Sequence, residues 1–245
     1  MTVKKSRIRI LLIVCLLLGL VLGSVLTASA ASYSGTWGEN VSWTLDSGSG
    51  VLTVSGKGAI KDFPEDESGK AWYAHRNEIK SIVIQEGITE IGIYAFSGID
   101  GLKHVTLPRG LTYIGKCAFG SNYALDSVVF PEGLVTIDDY AFYSCIGIGK
   151  VVIPHSVKTI GEAAFSWCIS MTKLTIGSGV ETIGSETFSA CDKLTEVVIP
   201  DSVTSIGNDA FAGCSSLTTV YYGGTEAQWD KISIGSYNQS LTKAS

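Results

Sequence analysis

The chain has 245 residues, 45% of them hydrophobic and 17% charged, enough length and apolar content for a buried core, which excludes a disordered or collagen-like chain. Its 28 glycines against 5 prolines point to many tight turns rather than a flexible linker. A formal net charge of -5 argues against a nucleic-acid partner, which would call for a basic face.

Lys4, Lys5, Arg7 and Arg9 precede an uncharged apolar run from Ile10 to Leu26, and Ala28-Ser29-Ala30 places small residues at -3 and -1 of a cleavage point before Ala31. Residues 1–30 read as a secretory signal peptide. A membrane anchor is the alternative, because the run sits at the lower edge of the length that spans a bilayer. Val14 stands before Cys15 where lipid attachment wants a small residue, so acylation is not expected. Cleavage removes four basic residues, leaving 14 Lys and Arg against 23 Asp and Glu, a net charge of -9. The expectation is an acidic exported domain with no membrane contact after signal cleavage.

In residues 31–78, Trp43 and Leu45, then Leu52 and Val54, alternate in strand period on either side of Asp46-Ser-Gly-Ser-Gly50, the signature of a β-hairpin. From there a 23-residue repeat takes over. Phe96, Phe119, Phe142, Phe165, Phe188 and Phe211 share one spacing, and Ile91, Ile114, Ile137, Ile160, Ile183 and Ile206 stand five residues before them. Ala95, Ala118, Ala141, Ala164, Thr187 and Ala210 precede the phenylalanines. Further upstream, pairs such as Ile82/Ile84, Val105/Leu107, Val128/Phe130 and Val151/Ile153, continuing to Val220/Tyr222, alternate as short strands. Pro108, Pro131, Pro154 and Pro200 close four of them, because proline ends a ladder.

Each coil therefore reads as a strand, a turn, a second extended segment and a short Ala-Phe turn. One coil cannot bury its own apolar face, so the stable object is a stack of coils with a parallel β-sheet, a repeat solenoid. The expected organisation is residues 31–78 as an N-terminal hairpin cap, 79–216 as six repeats, and 217–245 as a partial seventh repeat with a C-terminal cap. Thr225 and Gln228 are spaced as a capping box opening a short helix, which would carry Trp229 over the last coil. The flanking tryptophans read as lids on the core; ligand stacking is the alternative.

The unit Leu194-Thr-Glu-Val-Val-Ile-Pro200-Asp-Ser-Val-Thr-Ser-Ile-Gly207-Asn-Asp-Ala-Phe211-Ala-Gly-Cys214 resembles the BspA-like leucine-rich repeat proteins of bacteria, and recurs six times in register over residues 79–216. Ser34-Gly-Thr-Trp37 through Trp43-Thr-Leu45, and Val220-Tyr-Tyr-Gly-Gly224 through Trp229, resemble that family's flanks. Trp37 departs from it, standing where relatives usually carry cysteine. So does the end at Ser245, where relatives usually run on into another strand. The resemblance implies a right-handed leucine-rich-repeat coil and a role in adhesion.

Motifs for catalysis are missing: no G-x-S-x-G elbow, phosphate-binding loop or H-E-x-x-H occurs. His75, His104 and His155 lie in different parts of the repeat, without carboxylates or cysteines at ligand spacing. No catalytic residue, metal or cofactor is expected. Asp138 and Asp139 read as a solvated turn, with an acid/base pair as the alternative. Cys145, Cys168, Cys191 and Cys214 stand three residues after successive phenylalanines, in the slot that holds Ile99 and Asn122 in earlier coils. They read as small buried hydrophobes with free thiols; stacked disulfides or a zinc ladder are the alternatives.

The repeating outward surface is the candidate site. One row along the strands carries His104, Lys150, Lys173 and Glu196; the next carries Val129, Val152, Val198 and Tyr221. Strand propensity alone accounts for a β-branched row, while an apolar strip flanked by charges has the composition of a protein interface. The favoured function is a secreted or cell-surface, non-catalytic, adhesion-type module that binds a protein such as a host or cell-surface one. A carbohydrate-binding or envelope-structural role is the alternative, motivated by Tyr94, Tyr140 and Tyr143 beside Trp167. An enzyme with an unrecognised site is the third.

Overall fold

The computed structural model describes residues 31–37, 39–66 and 69–244; the signal peptide expected at 1–30 lies outside the described residues. The chain enters through β1 (Ser32–Thr36), β2 (Val41–Asp46), β3 (Val51–Gly56) and β4 (Gly58–Ile60), then a 3-10 helix, Tyr73–Glu78. Coils follow, two strands each: β5 (Ser81–Ile84) and β6 (Ile88–Ile91), β7 (His104–Thr106) and β8 (Tyr113–Ile114), β9 (Ser127–Val128) and β10 (Thr136–Ile137). The series continues through β11 (Lys150–Val152) and β12 (Thr159–Ile160), β13 (Lys173–Thr175) and β14 (Thr182–Ile183), β15 (Glu196–Ile199) and β16 (Ser205–Ile206). It ends with β17 (Thr219–Tyr222), a helix Glu226–Trp229, β18 (Ser233–Ile234) and a helix Gln239–Thr242.

The first strands of the coils stack in parallel into one ladder and the second strands into another. Both are short because each coil supplies only one or two inward side chains per strand before it turns. The first ladder begins in an antiparallel meander, β1 on β2 on β3, and β3 then joins β5 in parallel. The turn between β2 and β3 is held by Asp46, whose carboxylate accepts from the Gly48 N–H and the Ser49 hydroxyl, each at 2.9 Å.

The expected Ala-Phe turn forms a third side of each coil, with a backbone conformation that periodicity does not reveal. Two residues per turn, four apart, adopt the left-handed conformation: Tyr94, Cys117, Tyr140, Ala163, Glu186 and Asp209 in one row, and Ser121, Ser144, Trp167 and Ala190 in the other, with Gly98 and Gly213 at the latter row's ends. That conformation turns backbone N–H groups along the stack. Tyr94 donates to Lys116, Phe96 to Ala118 and Gly98 to Gly120, at 2.8 to 3.0 Å, and the pattern repeats in each later coil. These bonds offset the steric penalty of about 1 to 2 kcal/mol that a left-handed non-glycine residue carries.

Inside, the six lattice phenylalanines form a single column of stacked rings, with centroids 5.5, 5.3, 5.3, 5.7 and 5.4 Å apart. Trp37 and Trp72 lie against its first ring, Phe96, at 6.1 and 6.2 Å. Both tryptophans are buried, so Trp37 fills core volume where the family resemblance leads one to expect cysteine.

Two of the ladders are interrupted. β9 and β11 do not pair, and neither do β12 and β14. Phe130 follows β9 where neighbouring coils carry Leu107 and Ile153, and its ring lies edge-on to Phe142 at 5.4 Å and to Phe165 at 6.2 Å. Between the second two sits Thr187, fully buried where five other coils place alanine. Its hydroxyl donates to the Gly184 carbonyl at 2.9 Å and reaches the Gly161 carbonyl at 3.4 Å; a groove of about 400 Å³ lies beside Thr159 and Thr182.

The C-terminal end closes with more than the expected helix. Thr225 and Gln228 do form the capping box, with the Gln228 side chain accepting from the Thr225 N–H at 2.9 Å. The helix it opens leaves Trp229 only half-buried, edge-on to Tyr222 at 5.3 Å. The ladder runs one strand further than the repeat spacing suggests, since β18 pairs with β16. Leu241 and Asn238 are buried at this end, with Trp229 packed against the core as well.

Candidate binding surfaces

The outward residues of the first ladder fall into rows because the parallel register is unbroken from β11 to β17. Lys150 stands beside Lys173, Lys173 beside Glu196, and Glu196 beside Thr219. Val152, Thr175, Val198 and Tyr221 form the adjacent row in the same register. Lys173 and Glu196 make a salt bridge of 3.0 Å, an exposed pair contributing at most about 1 kcal/mol. Val152 and Tyr221 are about half exposed and Val129 is 82% exposed. Val129 and His104 lie across the β9/β11 interruption from the others, with His104 in contact with Asp126 at 3.2 Å. The eight residues are therefore two groups on one face, six on the continuous sheet and two beyond the gap.

A second concave feature lies on the left-handed side. Tyr94, Tyr140 and Tyr143 wall a groove of about 260 Å³ whose floor is the intervening coil, with Gly120 and Ser121. The sequence puts Tyr94 two coils before Tyr140, and the small residues between them leave the space. Trp167 is half exposed but is not part of this wall. Burial, then contacts with Cys117 and Glu65, push the Tyr94 phenol up to about 12.

The remaining candidates resolve into scaffold. Asp138 accepts from the Tyr113 hydroxyl at 2.5 Å and Asp139 accepts from the Glu162 N–H at 2.8 Å, so both tie neighbouring coils together. His75 stacks on Tyr33 at 3.5 Å, and His155 contacts Ser178 at 2.9 Å. Among the described residues no three His, Cys, Asp or Glu side chains gather as a metal site, and no helix is long and apolar enough to cross a membrane.

The cysteine slot has a chemistry that its hydrophobic neighbours conceal. Cys145, Cys168, Cys191 and Cys214 are buried and free. Each thiol donates to the carbonyl of the phenylalanine one coil earlier, at 3.1 to 3.4 Å. In the same slot the Asn122 amide donates to the Phe96 carbonyl at 2.9 Å. The slot thus asks for a compact donor that bridges coils, which corrects its reading as one for a small hydrophobe alone; only Ile99, in the first coil, lacks the donor. Burial pushes the Cys145 thiol up to about 12 and raises Cys168 as well. Cys191 is raised by its contact with Cys214 and by burial. Such thiols are inert to exchange at neutral pH.

Stacked 23-residue coils with two parallel ladders and an inward Ile-Phe lattice define a leucine-rich-repeat β-solenoid. The family model for the BspA type leucine rich repeat region matches residues 67–152 and 120–240 in 6 copies, and the chain belongs to that family. A leucine-rich repeat protein from Bacteroides ovatus is similar over 74% of this chain and 51% of its own, at 25% identity with a TM-score of 0.58. The pneumococcal vaccine antigen PcpA is similar over 77% of this chain and 45% of its own, at 24% identity with a TM-score of 0.59. The chain thus spans about half the length of either protein. No curated protein matches it.

Proposed function

We propose that the chain is a secreted or cell-surface, non-catalytic module that engages a protein partner, in an adhesion-type role, through the outward face of the first ladder. One observation carries the reading: Val152, Val198 and Tyr221 lie in one register-fixed row, with Lys150, Lys173 and Glu196 alongside. Large side chains left in water along a rigid sheet, with charges at their margin, supply the apolar centre and polar rim of an interface. The continuous β11–β17 sheet forms the centre, and Val129 with His104 extends it across the gap. Export follows from the basic-then-apolar residues 1–30 and places the module where partners are extracellular.

The test is a protein array and a glycan array probed with the chain and with a Val152→Glu/Tyr221→Glu variant. These substitutions add charge at exposed positions and leave the core alone. Protein hits lost in the variant support the reading; glycan hits alone, or protein hits that the variant keeps, overturn it.

A further inference from the structure

The tyrosine-walled groove has an unusual balance of hydrogen-bonding groups. The Tyr140 hydroxyl donates to Glu162 at 3.1 Å, and the Tyr94 hydroxyl is engaged with Glu65 and Cys117. The Ser97 hydroxyl donates to the Tyr94 carbonyl at 3.2 Å. The Tyr94, Tyr140 and Ser97 hydroxyls are thus engaged within the protein. The groove also presents tyrosine ring faces, which carry the negative side of the aromatic quadrupole, and the Glu65 carboxylate. Tyr140 and Tyr143 meet at 65° with centroids 5.8 Å apart, forming a corner that offers both rings.

The charges agree. Glu65 lines the groove, and Asp139, Glu162 and Glu186 act on Cys117 or Tyr140. The cations beside it are Lys70, whose ammonium donates to the Ser97 hydroxyl at 2.8 Å, and Lys116, 5.7 Å from the Tyr140 ring centre. That contact, with Arg76 at 4.3 Å from Tyr73, shows tyrosine faces of this chain already receiving cations. A cation with N–H groups is received by acceptors and π faces together. A volume of about 260 Å³ lies below the roughly 300 Å³ at which drug-sized ligands begin to fit, so it suits one side chain with the rest of its owner outside.

The geometry points to a second binding site, in which Tyr94, Tyr140, Tyr143 and Glu65 receive a lysine or arginine side chain from an extended basic segment of a partner protein. This surface is separate from the sheet strip and does not rest on it. The same tyrosines that suggest carbohydrate stacking in sequence are arranged for a cation.

The test is a nuclear magnetic resonance titration of the full chain carrying ring-13C tyrosine, with the peptide acetyl-Gly-Lys-Gly-amide and its arginine counterpart. The controls are the norleucine peptide, which has the length without the charge, tetramethylammonium and cellobiose. Saturable shifts of the Tyr94, Tyr140 and Tyr143 signals are expected with the lysine and arginine peptides and not with norleucine. Glu65→Gln, at an exposed position, should weaken binding at least fivefold, and Tyr143→Ala should remove it while the Tyr221 signal stays put. An equal response to norleucine, a response to cellobiose alone, tighter binding of tetramethylammonium than of either peptide, or no movement of the three signals would overturn the assignment.

Discussion

Asn238 is the residue whose loss should most weaken the C-terminal end. At the start of the helix Gln239–Thr242 an asparagine would ordinarily cap that helix, yet here its side chain makes no such bond. It turns inward, accepting from the Phe211 N–H at 2.9 Å and donating to the carbonyls of Gly207, Gly235 and Ser236 at 2.8, 2.9 and 3.3 Å. In every earlier coil the phenylalanine N–H finds a backbone carbonyl one coil on, as Phe188 does with Ala210 at 2.9 Å. The Asn238 side chain therefore stands in for the next coil and terminates the third ladder. Asn238→Ala strands the buried Phe211 N–H, at about 1 to 3 kcal/mol, and under-satisfies the carbonyls beside it, for a total of about 3 kcal/mol. Trp229→Ala should cost about 1 to 2 kcal/mol, because the ring is only partly buried against the core. Terminal coils have one neighbour, so the loss should appear first as local fraying. Amide exchange at Asp209 and Phe211 should accelerate in Asn238→Ala well before that at Phe142, and the urea midpoint should fall. A variant whose Phe211 amide stays as protected as in the parent, or a Trp229→Ala that is the more damaging of the two, would refute the reasoning.

Ser144 holds φ 56° where Gly98 and Gly213 occupy equivalent places; Ser144→Gly should raise stability by about 0.5 to 1 kcal/mol after the unfolded-state entropy of glycine is subtracted, read as a urea midpoint. Thr187→Ala restores the residue of the other coils and removes the extra methyl and hydroxyl, so amide exchange at Gly184 should slow as β12 and β14 close; unchanged exchange would mean the gap has another cause. Because the ladder thiols are raised in the folded state, the unfolded chain ionises first: their stabilisation is complete below about pH 9 and is lost between 9 and about 12, so the urea midpoint should fall across that window, less steeply in Cys145→Ala. Mass spectrometry of exported protein should find its N-terminus within two residues of Ala31; an intact Met1 on membrane-bound protein would contradict cleavage.

The residues that repeat with one chemical identity carry the fold openly in sequence. Phenylalanine and isoleucine recur every 23 positions because each coil must present the same apolar shape to the next, so stacking, the two ladders and the aromatic column follow from spacing alone. The left-handed ladder is different: Tyr94, Cys117, Ala163, Glu186 and Asp209 share a backbone conformation and no side-chain property, since what matters there is the direction of an N–H. The C-terminal closure is hidden for a related reason. Ile206 pairs with Ile234, 28 residues on, because the helix Glu226–Trp229 lengthens that connection and puts β18 off the lattice. The cysteine row was visible as a row, but its bonds to the phenylalanine carbonyls depend on how far one coil sits from the next. The tyrosine groove is tertiary throughout: its walls come from coils two repeats apart, and the coil between them lines it with Cys117, Gly120 and Ser121, which leave the space.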